Sequence, residues 1–278
     1  MRTSWGSATD RGLVRRINED ALLAYPPVFL VADGMGGHSA GDVASRLAVE
    51  EFAQLAGRPA AEADEIHECF SRTARRLRDV VDAGRTAGTT VAGVAVAAYD
   101  GAEYWLVFNI GDSRVYRLAD GALEQISVDH SVVQDLIDAG EIDPAEANVH
   151  PERHVVTRAI ATNAEPSPDY WLIPAGPTDR LLVCTDGLTI ELADERIRQV
   201  LCSQPDPQLA AERLVAEAVA AGGADNISAV VVDVASVQAP ITGAEAEVTT
   251  PAPTRPAAAW IEEIDGATVP RYSRTELR

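Results

Sequence analysis

The chain has 278 residues, 46% of them apolar, and carries a formal net charge of −20. This length and apolar content support a substantial core, in one large domain or two small ones. The acidity excludes a nucleic-acid backbone or an anionic membrane surface as a general partner.

In chain order, Ala21 to Ala24 and Val28 to Ala32 read as strands, the second apolar on both faces and therefore central. From about Ala40 to Ala83 the periodicity is helical, in two segments broken near "GRPAA". Three strands follow, "TTVAGVAVAAY", "AEYWLVFNIG" and "RVYRLA", with no room for a helix between them. Asp100-Gly101 joins the first pair and Asp120-Gly121 follows the third, so an antiparallel meander is predicted. Residues 127–166 mix loops and short helices. The strands "DYWLIP" and "RLLVCT", helices near 193–202 and 207–221, and a last strand "NISAVVVDV" complete the pattern. Strands in groups and helices in separate blocks predict an α+β fold with helices covering the sheet faces.

Composition shifts near Val237, after which the chain is rich in Pro, Ala and Thr with little periodicity. Such a segment buries too little surface to offset its ordering entropy. The expected division is a domain over 1–237 and a mostly disordered tail over 238–278. Cys69, Cys184 and Cys202 are odd in number and form no CxxC pair, which favours a reducing compartment over a disulfide framework or a structural zinc. The opening "MRTSWGSATD" has no apolar signal core, and no apolar run approaches 18 residues. A soluble, cytoplasmic protein without membrane insertion is expected.

The stretch "VFLVADGMGGHSAGDVAS" runs from a buried strand through a glycine-rich turn into a helix, the layout of a phosphate site, but places an aspartate at the turn. A Walker loop needs a lysine, and all 23 basic residues here are arginine. A GxGxxG fingerprint from Gly34 would need glycine where Ser39 stands. The turn is therefore not a direct phosphate cradle.

Five Asp-Gly pairs occur, at Asp33, Asp100, Asp120, Asp186 and Asp265. Hairpin turns account fully for Asp100 and Asp120. Asp33 and Asp186 instead end strongly apolar strands, and Asp112 and Asp225 also sit at strand ends. Four carboxylates at one rim repel unless they are protonated or a hard divalent cation lies among them; surface loops also collect aspartate. His150 and His154 in "HPERH" are four apart, but Pro151 and the misplaced Glu152 fit loop polarity better than a zinc pair. His38 either supports the turn or caps the following helix. Arg15 is either a solvated surface residue or, beside such a rim, a bidentate clamp for a phosphoryl oxygen.

The ordered set "TDRGLVRRINED", "VADGMGGHSAGDVAS", "AGTT", "NIGDSRVYRLADG", "DHS", "TRAI", "CTDGL" and "GADNISAVVV" resembles the protein phosphatase 2C family of metal-dependent Ser/Thr phosphatases in its compact bacterial form, over about residues 8–235. The resemblance implies a central β-sandwich of two mainly antiparallel sheets flanked by α-helices on both sides. It implies two Mn²⁺ or Mg²⁺ ions bridged by Asp33, with the Gly34 carbonyl as a further ligand and Asp186 and Asp225 on the first ion. Asp112 would help hold a third, weaker ion together with Asp186. Glu19 and Asp20 would orient waters, Arg15 would grip the substrate phosphate, and about Val132 to Arg153 would form a variable flap beside the site. A water between two such ions, about 3.5–4 Å apart, is acidic enough to attack phosphorus in line, while metals and Arg15 neutralise the equatorial oxygens.

The expected activity is hydrolysis of phosphoserine and phosphothreonine in proteins that a Ser/Thr kinase modifies. The alternative is a weakly active phosphopeptide-binding regulatory module. Two positions depart from the family pattern. Met35 stands where many members have histidine, a candidate general acid, and Ala161 stands where glycine often follows "TRAI". Asn226 is expected only to orient the loop after Asp225. The tail carries Thr249, Thr250 and Thr268, and is either an inert extension or a segment phosphorylated and read by a phosphothreonine-binding domain.

Overall fold

The computed structural model describes residues 1–36, 40–81, 86–147 and 149–236, and the backbone of 260–264 and 267–270. Three strands open the chain, β1 (Arg2–Asp10), β2 (Asp20–Tyr25) and β3 (Val28–Gly36), and helices α1 (Ala40–Phe52) and α2 (Ala63–Val80) follow. Next come β4 (Ala87–Thr89), β5 (Val91–Tyr99), β6 (Ala102–Ile110), β7 (Arg114–Ala119) and β8 (Ala122–Gln125). Short helices α3 (Val132–Asp138) and α4 (Pro144–Ala147) precede β9 (Ile160–Ala161), β10 (Asp169–Pro174) and β11 (Arg180–Cys184). Helices α5 (Asp186–Glu191), α6 (Asp194–Ser203) and α7 (Pro207–Ala221) lead into β12 (Ile227–Ser236).

Two antiparallel sheets result: a five-stranded one in the order β1-β12-β11-β7-β8, and a seven-stranded one in the order β10-β6-β5-β3-β4-β9, with β2 paired to β3. Strand alternation sorts the side chains into three apolar layers. From β3, Phe29 and Val31 point between the sheets, where Val183, Val230 and Val232 meet them. Val28 and Leu30 point the other way, onto Phe52 of α1 and Phe70 of α2. On the outer face of the five-stranded sheet, Leu182 and Val231 pack against Ile197 of α6 and Leu214 of α7. The architecture is the expected one: two sheets face to face with helices outside each. Phe29 is fully buried in the middle layer. Phe29→Ala should cost about 3–5 kcal/mol, the range for emptying a buried aromatic site, read as a lower urea midpoint at unchanged slope.

The predicted hairpins form at both surface Asp-Gly pairs. Asp100 and Asp120 have φ of 50° and 49°, and the following Gly101 and Gly121 have φ of 76° and 79°, the left-handed pair that a two-residue hairpin turn requires. The predicted meander is corrected after β6. β7 does not pair with β6; it pairs with β11 and β8 in the opposite sheet. The chain changes sheets through Gly111-Asp112-Ser113, and Gly111 has a φ of 113° that a side chain would resist.

β1 was not anticipated either. Its sequence lacks apolar alternation because it is an edge strand, held through its backbone pairing with β12. Beyond residue 236, Trp260–Ile264 (β13) and Ala267–Pro270 (β14) pair antiparallel, which places Thr268 on β14. His38, Asp265, Thr249 and Thr250 lie outside the described residues.

Candidate active site

The four aspartates that strand ends single out do converge, because each sheet delivers its share to the same rim of the sandwich. Asp33 lies near the end of β3, and Asp20, the first residue of β2, is its cross-strand partner. Asp186 opens α5 directly after β11, Asp225 precedes β12 beside it, and Asp112 sits on the crossing between the sheets. The turn around Asp33 needs glycine for close approach. A Cβ on Gly34 would lie 2.2 Å from the Gly41 carbonyl oxygen and 2.6 Å from that of Glu19. The start of α1 and the Glu19 backbone are thereby brought against the aspartate, with the Gly34 N–H donating to the Glu19 carbonyl at 3.2 Å.

The electrostatics of this rim are unfavourable without a cation. Burial pushes Asp33 well above the usual carboxylate range, and the charges of Asp20, Asp186, Asp112 and Asp225 push it further. Asp20 rises to about 7, chiefly through burial, although hydroxyls of Ser228 and Thr185 favour its charged form. Asp112 rises to about 8 through burial and then the charges of Asp186 and Asp129. Asp186 rises to about 6 through burial and then Asp225, and lies within hydrogen-bonding reach of Asp33. Among the described residues, Glu19 Oε1, Asp20 Oδ1 and Asp186 Oδ1 are buried oxygens with no protein hydrogen-bond partner.

Orphaned carboxylate oxygens at a crowded acidic rim fit hard divalent cations such as Mg²⁺ or Mn²⁺. No three His, Cys, Asp or Glu side chains among the described residues close into a ready cage.

Carboxyls with raised values stabilise the fold below about pH 4, and that contribution is lost as pH rises through 6 to 8. In a chelator, the melting temperature should therefore fall between about pH 5 and pH 8.5. Mn²⁺ should raise it, and by more at the higher pH. Asp20→Asn should flatten the chelated profile; a profile that rises with pH would contradict the assignment.

Neutral and paired groups hold the acids in place. Asp20 Oδ2 accepts from Thr185 Oγ1 at 3.0 Å and Ser228 Oγ at 2.7 Å. The Asp33 N–H donates to Thr90 Oγ1 at 3.2 Å, and that hydroxyl meets Ser113 Oγ at 2.8 Å, which ties Asp33 to the Asp112 turn. Arg114 pairs with Asp129 on the far side of the same turn, at 2.7 Å from Nη2 to Oδ2. Asn226 does more than orient its own loop. Its Nδ2 donates to the carbonyls of Arg11 and Ile17 at 2.9 and 3.0 Å, and its Oδ1 accepts the Glu19 N–H at 2.8 Å. One side chain thus fixes both ends of the loop that carries Arg15. Neither Asn226 nor the Thr and Ser hydroxyls was assigned this work from sequence, where only their position inside the quoted motifs marks them.

Arg15 is half-exposed and donates from Nη2 to Asp225 Oδ2 at 2.6 Å, so its guanidinium already faces the rim. Met35 follows Gly34 on β3 and brings only a thioether, which has no proton to give. His150 is half-buried just before the exposed turn that carries Glu152, and the His150 Nδ1 merely accepts the Glu152 N–H at 3.2 Å. A cleft of 670 Å³ opens beside Asp112 and Asp186, walled by the flap residues Val133, Arg153 and His154 and by Ile190 and Asp194 across from them.

The protein phosphatase 2C family model matches residues 16–221. The serine/threonine protein phosphatase PstP of Mycobacterium tuberculosis is 38% identical over 244 residues, covering 83% of this chain and 45% of PstP. The chain thus spans about half the length of that curated relative. The serine/threonine phosphatase stp of Listeria monocytogenes is 33% identical over 239 residues, 81% of this chain and 93% of its own length. Among solved structures, the catalytic domain of PstP in complex with two manganese ions superposes with a TM-score of 0.72 at 35% identity, covering 83% of this chain and 97% of that one. The chain belongs to the protein phosphatase 2C family. Among the described residues, no helix is long and apolar enough to cross a membrane.

Proposed function

We propose that this protein is a metal-dependent serine/threonine protein phosphatase that hydrolyses phosphoserine and phosphothreonine. The carrying observation is the rim itself: aspartates from both sheets raise one another's pKa around orphaned carboxylate oxygens, with a guanidinium directed at them. The residues that would hold two Mn²⁺ or Mg²⁺ ions are Asp33, the Gly34 carbonyl, Asp186 and Asp225, with Asp112 contributing to a weaker third. When bound, such ions supply a strong nucleophile at neutral pH and positive charge for the phosphoryl oxygens.

The rest of the chemistry belongs to the chain. Arg15 binds and orients the phosphate through paired N–H donors, exchanging Asp225 for a phosphoryl oxygen. Glu19 and Asp20 fix the orientation of water through their buried free oxygens. Asn226 keeps the Arg15 loop in register with the rim. The cleft beside the flap receives the polypeptide on either side of the phosphorylated residue.

The substrates are proteins modified by an opposing Ser/Thr kinase, in a cytoplasm whose reducing character suits three free thiols. Residues 238–278 stand as a tail outside the catalytic domain of 1–237, where a phosphothreonine-binding domain is the partner that modified threonines would attract. Phosphate release from a phosphothreonine peptide, with Mn²⁺ and with EDTA, tests the activity. Arg15→Ala should lose about 1.5–3 kcal/mol of substrate binding, the worth of hydrogen bonds to a charged group, seen mainly as a raised KM. Equal, slow turnover with and without metal would instead point to a phosphopeptide-binding module.

A further inference from the structure

The motif "DHS" carries a buried histidine for which the chemistry above has no use. His130 is 3% exposed, and its ring is fully committed. Its Nδ1 accepts the Gly111 N–H at 3.1 Å, and its Nε2 lies between Asp169 Oδ2 at 3.2 Å and Arg158 Nη1 at 3.3 Å. Its backbone N–H donates to the Gly111 carbonyl at 2.9 Å. Gly111, immediately before Asp112, therefore has its N–H and its carbonyl both bound to His130, and the carbonyl also accepts from Asn109 Nδ2 at 3.0 Å.

The other side of His130 leads to the flap. The flap's base is closed by the Val132 N–H donating to the Val155 carbonyl at 2.9 Å and the Thr157 N–H donating to the His130 carbonyl at 2.8 Å. Arg158, two residues before β9, places Nη1 3.5 Å from Asp169 Oδ1, the carboxylate that His130 also engages. A ring with Nδ1 occupied by an amide and Nε2 enclosed by a buried carboxylate and a guanidinium has no free position for substrate, which excludes a role as general acid or base.

We infer that His130 is a positioning residue that sets Asp112 at the metal rim by holding the peptide groups of Gly111 immediately before it. This rests on the reading of Asp112 as a ligand of the weaker ion.

The test is a titration of the full chain with Mn²⁺ alone, following the free ion by its electron paramagnetic resonance signal. His130→Gln keeps a donor for Asp169 but offers no acceptor to the Gly111 N–H. It should weaken the weakest Mn²⁺ class by about 10–100-fold, the usual cost of losing a residue that orients a ligand. His130→Asn places an oxygen near the Nδ1 position and should retain that class. In activity assays, His130→Gln should depress phosphopeptide turnover relative to p-nitrophenyl phosphate in the wild-type background, and cause no further change in that ratio when Asp112→Ala is already present.

Loss of the weak class in His130→Asn, or its retention in His130→Gln, overturns the positioning role, and the two variants are read independently should either fail to fold. If Asp112→Ala itself leaves all Mn²⁺ classes intact, the assignment of Asp112 falls instead.

Discussion

Asp33→Asn should abolish turnover of every phosphomonoester substrate while leaving the protein folded. Asp33 is the carboxylate on which the charges of four others act, and under the proposed function it is the ligand that two cations share. Losing a residue that merely orients a ligand costs about 10–100-fold in affinity or activity, so losing the shared ligand should exceed about 100-fold. The fold should survive because asparagine is isosteric and removes a buried charge that lacks compensation. In a chelator the variant should melt at the same temperature as the wild type or above it, and Mn²⁺ should raise its melting temperature far less. Phosphate release and melting curves on the same sample decide the matter. A fully active Asp33→Asn protein would remove the two-ion reading.

The second large effect concerns proton delivery. A serine or threonine alkoxide is a poor leaving group and must be protonated as it departs, and Met35 cannot supply the proton. General acid catalysis is worth about 10²–10⁴-fold, so whatever serves the leaving oxygen should show in its dependence on leaving group. Asp112 lines the cleft beside the rim. Asp112→Ala should therefore slow a phosphothreonine peptide by at least about 100-fold, and p-nitrophenyl phosphate, whose phenolate departs readily, by far less. Equal losses on both substrates in a folded variant would show that Asp112 acts on the turn's stability and that the proton comes from elsewhere.

Much of this was legible in the chain before its structure. The apolar runs of β3, β5, β6, β11 and β12 and both Asp-Gly hairpins are local signals, and aspartates just beyond buried strands marked the rim. What failed was long-range. Nothing in "NIGDSRVY" distinguishes a tight return within one sheet from a passage to the other, because the choice is made by β11 pairing with β7. β1 reads as irregular because its partner supplies its order. For the same reason His130 and Asn226 were visible only as motif letters. A side chain whose role is to hold two distant backbone segments has no periodicity and no neighbour in sequence to reveal it.

The crossing at Gly111-Asp112-Ser113 has a further meaning for the molecule's thermodynamics. Because Asp20 and Asp33 belong to one sheet, Asp186 and Asp225 to the other, and Asp112 to the link between them, a divalent ion held by this rim, as the proposed function requires, would be a staple across the sandwich. Cation binding and the docking of the two sheets are then linked equilibria. A methyl group removed from the valine layer between the sheets would be felt as weaker metal affinity far from the lesion, and a bound ion would slow the parting of the sheets.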